Sequence, residues 1–213
     1  IVPSRFPPVG LFDRVADPKD MEAVFSLESF TNPRLREEAG ELNLVPQEER
    51  VSGPGTTPIM AAFTHVNPNG SRFSDGSYGV YYCSRRVETA IHETVYHRER
   101  FMREASLPAT RLEMRVYYAD LDQELHDIRG MRDQHPEWYN PKDYGASQDL
   151  GRSLRNDGSW GIYYQSVRHR GGECAAVFRP RALSPCRQGE HYAYLWDGNR
   201  ISEVLELKTV IAF

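Results

Sequence analysis

Apolar and polar residues alternate over 111–119, where Leu112, Met114, Val116 and Tyr118 interleave with Arg111, Glu113 and Arg115. A period of two puts those apolar side chains on one face, so Arg111–Ala119 predicts a half-buried strand. Just before it the period changes. Ile91, Val95 and Met102 recur at helical intervals within Val87–Arg103 and define one apolar stripe. A second helix is predicted over Ser147–Arg155, ending at Asn156-Asp157-Gly158, where glycine suits a left-handed cap. Met21, Val24 and Phe25 mark a short helix over Pro18–Ser29.

Compact apolar runs at Gly79–Cys83, Gly161–Gln165 and Cys174–Phe178 read as strands, with a first edge of sheet near Ile59–Thr64. The end of the sequence is hairpin-like: Tyr192–Trp196, a turn at Asp197-Gly198-Asn199, then Ile201–Leu207. Leu42–Pro58 reads as a long loop. Asp120–Tyr144, with Pro136 and Pro141, reads as a surface excursion, and residues 1–10, Pro-rich through Pro8, as an N-terminal arm. Strands outnumber helices and cluster late, which predicts a mixed α+β fold rather than a doubly wound one. At 213 residues the whole of 1–213 is expected to form one domain with a sizeable core.

A net charge of −4 gives no broad basic surface, so direct nucleic-acid binding is not expected. Arg98, Arg100 and Arg103 read as a solvated helix face. No apolar run is long enough for a bilayer helix, and the first residues do not resemble a signal peptide. Cys83, Cys174 and Cys186 lack CxxC spacing, and Cys83 and Cys174 lie in apolar strand-like runs. Reduced, buried thiols in a cytoplasmic protein are the expectation.

The chemistry concentrates in GSRFSDGSYGVYYCSRRVETAIHETVYH, from Gly70 to His97. Arg72 sits in a Gly-flanked turn, Tyr82 in the short strand that follows, and Glu93 inside the next helix. A second patch, Gly161–Gly172 (GIYYQSVRHRGG), adds Ser166 after another strand. Each residue alone has an ordinary structural use. A cation, a phenol and a carboxylate on three successive elements together suit a phosphorylated sugar ligand. No GxGxxG fingerprint opens a helix after a strand, and there is no P-loop. His92 and His97 form HExxxH, whose five-residue spacing turns the two rings about 140° apart on a helix. They cannot share a metal as i,i+4 histidines do, so no metal site is expected from that pair.

GSRFSDG, GVYYCSRRVETAIHE and ASQDLGRSLRNDGSWGIYYQSVRHRGG agree in residue types, spacing and order with the RES domain, the toxin half of RES–Xre toxin–antitoxin pairs. The resemblance runs from Phe12-Asp13-Arg14-Val15 to Phe178. It departs at Ser74, where Asn is common, and at Glu173, which is more polar than usual. It implies a fold similar to ADP-ribosyltransferases, with a central split β-sheet and flanking helices. It further implies that NAD is consumed as substrate, with no other cofactor and no metal. By motif the functional positions fall on Arg72, Tyr82, Glu93 and Ser166, with Arg72, Tyr82 and Ser166 also contacting NAD. Tyr82 is chosen over the adjacent Tyr81 by counting back from Glu88-Thr89. The implied partner is an Xre-like antitoxin, with a homodimer inside the toxin–antitoxin complex compatible with the family.

These residue types fit the chemistry. Cleaving the nicotinamide–ribose bond passes through an oxocarbenium-like sugar, as in glycoside hydrolysis. Nicotinamide leaves as a neutral base, so no general acid is needed, and one carboxylate can bind the ribose and stabilise developing positive charge. Arg72 suits the pyrophosphate, Tyr82 can stack on nicotinamide, and Ser166 can meet the carboxamide or orient Glu93. The readings open from sequence are NAD hydrolysis or phosphorolysis, ADP-ribosyl transfer to a macromolecule, and a non-catalytic binding module.

Overall fold

The alternating segment becomes the spine of the first of two sheets. The protein is described here by a computed structural model over residues 1–4, 12–15, 17–21, 40–208 and 210–211. Strand β3 (Thr110–Tyr118) pairs antiparallel with β1 (Val2–Pro3) on one side and with β7 (Arg187–Trp196) on the other. β7 pairs in turn with β8 (Ile201–Leu207), giving the order β1-β3-β7-β8. The expected arm therefore contributes a strand, because Val2 and Pro3 find the open edge at Arg115 and Met114. Met114 and Val116 are buried as the alternation requires. Tyr118, expected on the same face, is exposed instead. The β3–β7 register slips between Arg115 and Tyr117, and beyond it Tyr118 donates its hydroxyl to Glu190 at the sheet margin.

The second sheet has the order β2-β6-β5-β4. β2 (Tyr81–Ser84) and β5 (Gly161–Gln165) flank β6 (Glu173–Val177) antiparallel, and β4 (His126–Asp127) adds to β5 in parallel. β6 separates two cores. Ala175 and Val177 face a core with Ile59, Met60 and Phe63, while Cys174, Ala176 and the following Phe178 face one with Phe73, Ile162 and Tyr164. Burial on both faces explains why CAAVF is apolar without alternation. Glu173, at the strand's start, is met by Arg129, Arg85 and the Tyr163 hydroxyl, which together hold its carboxyl down to about 2.

Three α-helices are described: α1 (Thr57–Thr64), α2 (Val87–Glu104) and α3 (Gly145–Asn156). The α+β class holds, with helices packed around two four-stranded sheets among the described residues. The strand expected at Ile59–Thr64 is helix α1. Pro58 lies in its first turn, and Ile59, Met60, Phe63 and Thr64 are buried at helical spacing, so tertiary burial selects a helix from a short apolar run. α2 and α3 fall where expected, extended by a residue or two. Beyond α3, Gly158 has φ +86° and the Ser159 amide returns to Leu154 O at 2.9 Å, the left-handed cap read from sequence.

The helix expected over Pro18–Ser29 starts as a 3₁₀ turn at Pro18–Asp20, and its part from 22 onward lies outside the described residues. The 120–144 segment is more than a surface excursion. Ile128 and Tyr139 are buried in the second core, and the Tyr139 hydroxyl donates to Ile128 O. Cys174 and Cys186 are buried free thiols and Cys83 is half-buried. Burial pushes the Cys83 thiol up to about 12.

Candidate active site

A cleft of about 970 Å³ opens where Val116 and Tyr117 of the first sheet approach Tyr82 and Tyr164 of the second, with α2 along one side. That volume suits a dinucleotide-sized ligand. Arg72, Tyr82 and Glu93 all line it.

Arg72 projects from a tight turn closed by Ser71 N donating to Ser74 O at 2.7 Å. Helix α3 holds this turn. Ser147 Oγ donates to Arg72 O at 2.7 Å, and Gln148 Nε2 donates to Ser71 O and Ser74 O at 3.0 and 3.2 Å. Arg72 is 8% exposed, yet no carboxylate among the described residues pairs with its guanidinium. Its Nη1 donates to Trp138 O and Asn140 O, both at 3.1 Å, and its carbon lies 4.8 Å from the Tyr144 ring centroid. Neutral acceptors fix its direction without cancelling its charge. The remaining nitrogens keep donors for an anion.

Tyr82 lines the cleft and is 38% exposed, with its hydroxyl turned into the protein. That hydroxyl meets Ser71 Oγ at 2.8 Å and accepts from Phe73 N at 2.9 Å, gripping the residues on both sides of Arg72. Enclosure of the oxygen raises its pKa well above that of a free phenol, so it stays protonated. Tyr81, one residue away, turns to the first core with its hydroxyl 3.7 Å from Cys186 Sγ. Both tyrosines touch the cleft wall, and they differ in where their hydroxyls go.

Glu93 is half-buried on α2. Its Oε1 accepts from Ser166 Oγ at 2.6 Å. Ser166 is 5% exposed and sits behind the carboxylate rather than on the cleft wall. Its oxygen accepts from Arg168 N at 3.0 Å and His169 N at 2.9 Å, which leaves its one proton for Glu93. The structure thus brings all four sequence-selected residues to one place, three lining the cleft and one buttressing it.

Two further residues were not singled out from sequence. Arg168 lines the cleft with its guanidinium 3.4 Å from the Tyr96 ring centroid, and donates Nη2 to Pro141 O at 2.5 Å. Tyr144 faces Arg72 across the same wall. The signal for Arg168 was its position two residues after Ser166. Tyr144 lay in a segment with no readable period.

The sequence model of the family described as RES domain matches residues 47–197. That match spans α1 through β7, including every residue of the site. A protein of Sinorhizobium fredii, described as uncharacterized protein y4oC, is 30% identical over 206 residues that cover 95% of this chain and 84% of the relative. Among the described residues no helix is long and apolar enough to cross a membrane.

Proposed function

The chain belongs to the RES-domain family, and from that premise we propose that it is a toxin that depletes NAD by breaking the nicotinamide–ribose bond. The observation that carries this reading is one carboxylate, Glu93, locked by Ser166 in the same cleft as the uncancelled guanidinium of Arg72. Arg72 and Arg168 take the pyrophosphate, and the exposed ring of Tyr82 packs on nicotinamide. Glu93 faces the ribose. As the C–N bond breaks, its electron pair leaves with nicotinamide and quenches the pyridinium charge. Positive charge then develops on the ribose, where a preoriented carboxylate stabilises it without reorganising. Water or phosphate attacks the anomeric carbon, giving ADP-ribose or its 1″-phosphate. Tyr82 and Ser166 serve by position: one hydroxyl fixes the Arg72 turn, the other fixes Glu93.

A cell holding such an activity needs a neutralising partner, and the family implies an Xre-like antitoxin. A carboxylate-bearing segment of that partner set against Arg72 competes with pyrophosphate for the same guanidinium. The test is incubation of purified protein with NAD, with and without phosphate, followed by chromatography, then repetition on the co-expressed complex. Nicotinamide release that the partner suppresses supports the proposal. Labelled macromolecule in place of free product makes the protein an ADP-ribosyltransferase, and an untouched NAD pool makes it a binding module.

A further inference from the structure

At the start of α2, outside the cleft residues just described, Glu88 and His92 lie one helical turn apart beside His169 from the turn after β5. One ligand atom from each lies within 4.8 Å of the others. We propose that these three side chains form a binding site for a divalent transition-metal ion of the Zn²⁺ class.

The donor set is two imidazoles and a carboxylate, the combination that binds Zn²⁺ with a fourth position left to water. Glu88 and His92 stand at i and i+4, the spacing that puts two ligands on one helix face. His92 does not pair with His97. It pairs in space with His169, the rings lying 4.5 Å apart at 15°. His169 is already oriented for this role. Its Nδ1 lies 3.0 Å from the buried Thr89 hydroxyl, while its Nε2 faces Glu88 Oε1 at 3.8 Å. The Thr89 hydroxyl can accept from Nδ1–H, the tautomer that puts the lone pair on Nε2, the atom nearest Glu88. An outer hydrogen-bond partner of this kind holds the ring orientation of metal-ligating histidines.

The backbone is built to allow the approach. A Cβ on Gly172 would lie 2.6 Å from Thr89 Cγ2 and 3.1 Å from His169 Nδ1, so a side chain there would push the turn off the helix. Tetrahedral coordination at about 2.1 Å brings ligand atoms to roughly 3.4 Å apart. Glu88 and His92 are exposed, so their side chains are free to rotate, the His92 ring turning out of its stack so that both imidazole planes meet one ion. An ion held here would tie α2 to the turn whose Arg168 and His169 amides hold Ser166. The ion acts as a clamp and takes no part in bond cleavage, so the inference stands independently of NAD chemistry.

The test is equilibrium dialysis of the EDTA-treated full chain against Zn²⁺, with Co²⁺ absorption as a second readout and melting curves in EDTA as the control for folding. The expected result is one saturable ion per chain, a tetrahedral Co²⁺ spectrum and a Tm raised by Zn²⁺. His92→Ala and Glu88→Gln, both at exposed positions, should each weaken binding at least about tenfold while melting as wild type in EDTA. Absence of saturable binding, or an affinity unchanged in His92→Ala, overturns the proposal.

Discussion

Ser166 Oγ donates to Glu93 Oε1 at 2.6 Å while accepting two backbone amides, from Arg168 and His169. Its hydrogen-bonding capacity is filled, and its proton has one destination. A carboxylate so held keeps one orientation on a helix where most glutamates turn in solvent. Removing the hydroxyl frees Glu93 and strands two amides at a site 5% exposed.

Ser166→Ala is therefore expected to lower kcat for NAD cleavage by about 10- to 100-fold, the worth of one hydrogen bond to a charged group, with a smaller change in KM. It should also lower stability by about 1–3 kcal/mol through the unpaired amides. Steady-state kinetics and a denaturant melt check both. A rise in KM with kcat unchanged would show that Ser166 contacts substrate instead.

Arg72→Lys should behave almost as a deletion. Lysine is a point charge, and one ammonium cannot reproduce the fork that holds the Trp138 and Asn140 carbonyls while offering other donors to an anion. Calorimetry should find NAD binding weakened at least about tenfold. Wild-type affinity in Arg72→Ala would show that the guanidinium only supports the 138–140 backbone.

The tyrosine pair separates by a single oxygen. Tyr82→Phe keeps the ring but releases both Ser71 and Phe73, so it should destabilise by about 1–3 kcal/mol and weaken NAD binding through a loosened Arg72 turn. Tyr81→Phe loses only a long contact to Cys186 Sγ and should leave turnover within about twofold of wild type. The opposite ranking would place the cleft on the other face of β2.

The candidate residues could be picked out from the sequence because the motifs that carry them lie on strongly patterned elements. Helix α2 and strands β2, β5 and β6 carry Tyr82, Glu93 and Ser166 or the turns beside them, and their apolar periods are local. The scaffold behind Arg72 was not legible. Its carbonyl partners come from Trp138 and Asn140, 66 and 68 residues away, in a segment whose order depends on burying Ile128 and Tyr139. Helix α1 was misread for a related reason. An eight-residue apolar run fits either period, and only packing against the β6 face makes it helical. The His92–His169 pairing joins two motifs across 77 positions of chain, which spacing within either motif cannot show.

The central claim is that Glu93 drives cleavage of NAD, and the direct measurement is nicotinamide release by wild type and Glu93→Gln side by side. Glutamine keeps the shape and still offers an oxygen to Ser166, so the melting temperature should hold. Turnover should fall by about 10²–10³-fold, the usual cost of one preorganised electrostatic group. Glu93→Gln turning over NAD within about twofold of wild type, or folded wild type leaving NAD intact, would contradict the account.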